Sequence, residues 1–237
     1  MSEWKAKRFW KEASVVPEGQ GFTVHLDGRA VKTPAKQPLV VPCEPLAQKI
    51  AEEWNALDKA IDPARMPFTR SANAAIDKVA VQHGEVAAMI AGYGDSDLLC
   101  YRAEFPAELV ARQNDLWTPL LDWARNAQGI ELKPITGIVH QPQSATSLTR
   151  ISDITTSMSV FELTAFHDLV SLSGSFVLGL AAAQQVRPIE EIWTLSRLDE
   201  TWQEEQWGAD DEATALAATK RSAFLHAATL FRLVADA

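Results

Sequence analysis

The chain has 237 residues, of which 47% are hydrophobic and 22% charged, with a formal net charge of -9. That balance belongs to a soluble globular protein with enough material for a sizeable core. The acidity argues against nucleic acid as the main partner, because phosphate binding wants clustered Lys and Arg. The two cysteines, Cys43 and Cys100, form no C-x-x-C pair and no metal-ligand spacing, so two reduced thiols are expected over a single disulfide. Met1 to Lys5 contains no apolar run of the signal-peptide kind. The longest hydrophobic stretch, Val170 to Ala183, is interrupted by Ser and Gly and is too short to span a bilayer. The expectation is a protein with no membrane insertion, cytosolic or mature after processing.

The first elements read as β. Phe22, Val24 and Leu26 alternate with Thr23 and His25, the period of a half-buried strand. Asp27-Gly28 is a tight-turn signal, after which Ala30 to Thr33 returns. Leu39 to Val41 is another short strand, closed by Pro42. Pro45 then opens a helix whose stripe is Leu46, Ile50, Trp54 and Leu57. Residues 63–67 are a loop, and Ala72, Ile76, Val79 and Ala80 begin a second helical stripe.

Asp95 to Ala103 reads as a connection or short strand. Leu109, Gln113, Leu116, Trp117, Leu120 and Ala124 form a helix stripe that Gly129 caps. Ile130, Leu132 and Ile135 point to a strand with Pro134 at an edge or bulge. From about Ser144 onward the pattern is helical. Ser159-x-x-Glu162 is a capping-box pattern. Ser171, Ser173, Gly174, Ser175 and Gly179 are small enough for a neighbouring helix to approach closely. Gly208 interrupts before a last helix from about Asp211 to Val234.

Few residue patterns in the chain carry chemistry. The P-loop and G-x-S-x-G patterns are absent. Gly92-Tyr93-Gly94 lacks the third glycine of a dinucleotide fingerprint and has no clear preceding strand. His25, His83, His140, His167 and His226 show no metal-ligand spacing. Asp95 and Asp97 flank Ser96, where a turn or capping role outweighs metal binding. No catalytic residue, metal site or cofactor is expected.

Two features remain. Eight tryptophans stand at positions 4, 10, 54, 117, 123, 193, 202 and 207. Between Pro188 and Thr219 nine acids face one base, Arg197, while residues 1–36 carry seven bases against four acids. A solvated face is the bland account of the acidic run. With Trp202 and Trp207 flanking Gln203 to Gln206, the pair of features describes a protein-binding surface better than a catalytic pocket.

The chain also resembles the F1-ATPase assembly chaperones that bind the alpha subunit, the ATP-twelve type. The matching segments are Arg8 to Lys11, Val24 to Ala35, Leu39 to Pro42 and Ile50 to Trp54. Further on come Met66 to Asp77, Asp95 to Ala103, Trp117 to Trp123, Leu169 to Leu180 and Trp202 to Ala213. No single motif is decisive, but their order and coverage make chance similarity improbable. Phe68 and Ala74 depart from the Leu or Met and the Thr expected there.

The resemblance implies an α+β fold with a small β-containing N-terminal domain, placed at residues 1–135, and an all-helical C-terminal domain, placed at 136–237. It implies an ATP-independent chaperone, not an enzyme, whose partner is the free alpha subunit of F1-ATPase. Its partner-binding residues are expected at Trp202, Glu204, Glu205, Trp207, Asp210, Asp211 and Glu212. A small-molecule hydrolase or transferase with an unrecognised acidic site is the alternative, and a structural module of a stable complex the third reading.

Overall fold

The computed structural model describes residues 8–58 and 60–235. Trp4 and the rest of the first seven residues lie outside them. The chain packs into two compact units. Unit 1 comprises residues 1–83, 159–164 and 229–237; unit 2 comprises 84–158 and 165–228. The compositional change at residues 130–144 falls inside unit 2. The fold class is α+β, with a small strand sheet near the N-terminus and helices through the C-terminal region, as the sequence pattern predicts.

In unit 1 the strands are β1 (Ala13–Glu18), β2 (Gly21–Leu26), β3 (Arg29–Ala30) and β4 (Val40–Val41). β1 pairs antiparallel along the whole of β2, from Ala13↔Leu26 to Glu18↔Gly21. β3 and β4 pair with opposite ends of β2, at His25↔Ala30 and Phe22↔Val41. Asp27 (φ 49°) and Gly28 (φ 83°) are both left-handed, as a type I′ hairpin turn requires. The Asp27 carboxylate also accepts from the Glu12 and Lys11 backbone N–H groups, and these hydrogen bonds hold its pKa below the ordinary value. Gly21 is needed for packing: a Cβ there would meet the Val41 carbonyl oxygen, so only glycine lets β4 approach.

Helix α1 (Glu44–Asn55) buries Leu46, Ala47, Ile50 and Ala51 against β1 and β2. Asn55 closes its C-terminal end, with both amide atoms bonded to the Ala13 backbone at 2.8 and 2.9 Å. Arg8 donates to the carbonyls of Trp10, Lys11, Asn55 and Leu57 and lies over the Trp10 ring. That gives the Arg8 to Lys11 segment a physical role: it caps orphan carbonyls past the end of α1.

The Glu53 carboxylate accepts from the backbone of Phe68 (2.6 Å) and Thr69 (2.8 Å), and from the Thr69 hydroxyl, in the first turn of α2 (Pro67–Ala74). Burial pushes this carboxyl up while those donors oppose the shift. Asp77 accepts from Thr33 Oγ1 (2.6 Å) and Ala35 N (3.0 Å), joining two more of the segments that carry the resemblance. Ala75–Val79 forms a π-helical turn after α2. Its wider turn rotates the inward face, so Ala75 and Val79 are buried while Ile76 is half-buried and Ala80 exposed. The regular stripe through Ile76 and Ala80 is corrected accordingly.

In unit 2, α4 (Ala107–Trp123) buries Gln113, Trp117, Leu120 and Leu121. Trp117 is fully buried, and its indole N–H donates to the Leu195 carbonyl at 2.9 Å. Gly129 (φ 70°) ends the π-helical turn that follows α4. The strand expected near residue 130 is shorter than its apolar pattern. Ile130 and Leu132 are buried without pairing, and only β6 (Ile135–Thr136) pairs, in parallel, with β5 (Tyr101–Arg102).

The remaining helices are α3 (His83–Gly92), α5 (Ala145–Ser157), α6 (Val160–Ser173), α7 (Phe176–Ala183), α8 (Ile189–Ser196), α9 (Leu198–Trp207) and α10 (Asp211–Ala235). The capping box forms reciprocally, Ser159 N to Glu162 Oε2 at 2.8 Å and Glu162 N to Ser159 Oγ at 3.3 Å. Gly174 (φ 69°) breaks the apolar stretch into α6 and α7, so Ser173 to Ser175 is a helix junction and not a helix interior. A Cβ on Gly179 would lie 2.6 Å from Val170 Cγ2 and 3.2 Å from its backbone N, which is the close helix approach the small residues predict.

Asp97 sits in this junction, fully buried. Its carboxylate accepts from Leu99 N (2.9 Å), Ser175 Oγ (2.7 Å) and Val177 N (3.0 Å). The capping role read from the sequence is therefore real, and it reaches a second helix. Burial pushes this carboxyl up to about 6, against the pull of those donors. A raised folded-state value means the folded protein holds the proton more tightly than the unfolded chain. Its stabilising contribution is therefore complete below about pH 4 and lost as pH rises through about 6. Urea unfolding of wild type and Asp97→Asn between pH 4.5 and 7 should show the wild type gaining on the variant as pH falls, by about 2 kcal/mol across that range. A constant difference across that range would show that Asp97 stays charged in the fold.

Candidate functional site

The sequence-selected residues occupy α9, the turn after it and the first turn of α10, all in unit 2. α9 stops because Gly208 adopts φ 90°, and the Gly208 N–H closes on the Glu204 carbonyl at 2.9 Å. α10 starts on Asp210, whose carboxylate accepts the Ala213 N–H at 2.7 Å. Asp210 therefore caps a helix, and Asp211 and Glu212 lie in a first turn where the helix dipole favours acids.

Trp207, the last residue of α9, is 79% exposed. Trp202 is half-buried beneath the Arg112 guanidinium, 5.8 Å from its ring centroid. The two tryptophans thus have different roles: one is braced against α4, the other is displayed.

The acidic run is less negative in space than in sequence. Arg112 makes a bidentate pair with Glu205, at 2.6 and 2.9 Å. Arg197 reaches Glu200 at 2.7 Å and Glu204 at 3.8 Å. Arg187 pairs with Glu191 at 2.6 Å, and Arg221 with Glu190. Arg187 and Arg221 lie just outside the 188–219 segment, and Arg112 is 93 positions from Glu205. Among the described residues no ion pair engages Asp210, Asp211 or Glu212, which leaves the net negative charge at the α9–α10 turn.

A buried relay positions α9 from below. Arg102 donates to the carbonyls of Leu99 (2.8 Å) and Gln113 (2.6 Å) and stacks on Trp117. The Gln113 side chain accepts from Ala103 N (2.8 Å) and donates to Asp199 Oδ1 (2.7 Å) in the first turn of α9. Sequence reasoning placed Gln113 on the buried stripe of α4 and missed that its amide links β5 to α9. A polar residue on an otherwise apolar stripe was the available signal.

The carboxyls that burial pushes up, Glu53 and Asp97, both accept several hydrogen bonds within their own units. Neither is free to serve as an acid pair for a hydrolase or transferase. No helix among the described residues is long and apolar enough to cross a membrane.

The protein is a two-unit α+β fold in which the end of α9 and the start of α10 present an exposed tryptophan and acids that no ion pair among the described residues engages. Residues 7–125 match the family of the ATP12 chaperone protein, and the chain belongs to that family. Atp12 from Paracoccus denitrificans is 45% identical and superposes with a TM-score of 0.95, covering 98% of this chain and 100% of that one. An aspartate-to-lysine mutant of the same Paracoccus protein gives the same values. An Agrobacterium tumefaciens protein is 39% identical with a TM-score of 0.92, over 96% of this chain and 85% of that one. The mitochondrial protein atp12 of Schizosaccharomyces pombe is 27% identical over 219 residues, 87% of this chain and 75% of its own.

The Arg112 hydrogen bonds hold the Glu205 carboxyl below its ordinary value. Such a group contributes stability above its unfolded-state value and loses it as pH falls through the depressed folded value. A carboxyl NMR titration should find Glu205 low in wild type and back in the ordinary range in Arg112→Met. Identical titration in the two proteins would mean that the pair does not hold in solution.

Proposed function

We propose that this protein is an ATP-independent chaperone for assembly of the F1 sector of ATP synthase. It binds the free alpha subunit and shields its unpaired apolar surface until the beta subunit replaces it. Membership of the ATP12 chaperone family supports this reading at the level of the class. The displayed Trp207 beside the unpaired acids of the α9–α10 turn is the observation that carries it for this chain.

Obligate subunit interfaces are large and apolar, so an unpartnered subunit exposes an aggregation-prone surface. A cover displaced by mass action needs no catalytic step and no cofactor. In this reading Trp207 is an anchor, Trp202 and Glu205 hold its helix against Arg112, and Glu204, Asp210, Asp211 and Glu212 steer the client. Asp210 has a second duty as a cap. With one named relative mitochondrial and the solved ones bacterial, the compartment we propose is the bacterial cytoplasm or the mitochondrial matrix.

The test separates steering from anchoring. A triple variant with Glu204→Gln, Asp211→Asn and Glu212→Gln keeps the Arg112 pair and the Asp210 cap but removes three charges. Its association with purified alpha subunit should slow by about tenfold at low salt and match wild type at high salt, where screening removes steering. Trp207→Ala should fold normally and dissociate about ten to a hundred times faster. Wild-type rates in both variants would remove this site from the account.

A further inference from the structure

The segment after β6 carries a feature with no role in folding. Ile138 is 92% exposed and Val139 77%, consecutive aliphatic residues on the loop between β6 and α5. Side chains in that position add nothing to the core. The loop beneath them is firmly built. Gly137 N donates to the Arg102 carbonyl at 2.9 Å. Asp95 holds the other side, accepting from Gln143 N at 2.8 Å and contacting His140 Nε2 at 3.2 Å. His140 Nδ1 meets the Tyr101 hydroxyl at 3.2 Å, and the Gln143 amide bonds both backbone groups of Lys133. An apolar tip on an ordered base binds without the entropic cost of ordering a mobile loop.

A third apolar side chain lies at the same end. β5 and β6 run parallel, so residues following them leave at one end of the ladder. Phe105, three residues past β5, is 77% exposed. Charge then narrows the partner. Residues 134–143 contain no Lys, Arg, Asp or Glu, and the exposed charges beyond β5 are the acids Glu104 and Glu108. The exposed base Lys133 lies before β6, two residues from the exposed Glu131. α4 begins at Ala107, and about 8 Å of helix separates it from Arg112, the residue that grips α9. Phe105 is thus close in the chain to the support of the Trp207 site, where the unpaired charges are also acidic.

We propose that Phe105, Ile138 and Val139 form a second apolar contact for the client, fitted to an apolar surface with a basic rim on the free alpha subunit. The inference rests on the client reading above and extends it to a second patch of unit 2. Two patches on one unit bind the same partner more tightly than either alone, because the second contact is intramolecular once the first has formed.

The test uses the full chain, purified alpha subunit, and a double variant with Ile138→Ser and Val139→Ser. Because both side chains are exposed, circular dichroism should be unchanged. Dissociation from the alpha subunit should be at least about tenfold faster than wild type. A photo-crosslinking residue at position 138 of the otherwise wild-type chain should join covalently to the alpha subunit, which keeps the idea testable if the double variant misfolds. Wild-type affinity in the folded double variant, or no crosslink, overturns the second contact and leaves the Trp207 site standing. If wild type itself fails to bind the alpha subunit, the client reading falls and this contact with it. Concentration-dependent dimerisation of wild type that the double variant abolishes would assign the patch to a second copy of this chain, and also overturns it.

Discussion

A carboxylate taken wholly out of water must find donors within the protein, and Asp97 finds three. Leu99 N–H ties it to its own turn, while Ser175 Oγ and Val177 N–H tie it to the start of α7. Much of unit 2 is organised around that node. The turn it fixes leads into β5, which carries Arg102; Arg102 bonds Gln113 on α4; and Gln113 reaches Asp199 at the start of α9. The displayed Trp207 lies at the far end of that helix. Because the links are directed hydrogen bonds, buried at Arg102 and part-buried where Gln113 meets Asp199, the surface helix has a defined placement. An amphipathic stripe alone would leave it free to slide.

The parts of this fold legible in the sequence are those with local causes. Asp27-Gly28 gives its turn because both residues tolerate positive φ. Ser159 and Glu162 give a helix start because two short side chains satisfy each other's backbone. The α1 stripe follows from its period. The parts not legible depend on distant partners. β1 contains Pro17 and lacks a clear alternation of apolar and polar residues, so its pairing with β2 is evident only once both are placed. The π-helical turn after α2 shifts a face by a residue without any change of composition.

The candidate site shows the same division more sharply. Nine acids against one base is a fact about a sequence window. Arg112, Arg187 and Arg221 lie outside that window and pair with three of those acids. Charge surveys along a chain overstate local fields whenever helices exchange partners across a bundle. What survives is smaller and better placed: three unpaired acids at one helix start, next to an exposed indole. The family relation was legible because many short segments occur in the right order. The structure supplies reasons for several of them, since Glu53 with Phe68 and Thr69, and Asp77 with Thr33 and Ala35, are hydrogen-bonded partners drawn from different segments.

Shielding without chemistry makes a thermodynamic demand that distinguishes it from an ATP-driven cycle. The complex must form without nucleotide and must be dissolved by a competitor with greater affinity for the same surface. The most direct measurement follows a preformed complex of this protein with purified alpha subunit while beta subunit is titrated in, with nucleotide absent throughout. Size-exclusion chromatography with light scattering should show the chaperone leaving as a free monomer-sized species while alpha and beta enter one assembly. The midpoint should shift with chaperone concentration as competition requires. A ternary species that retains the chaperone at saturating beta, or release that occurs only when ATP is supplied and hydrolysed, would contradict the account.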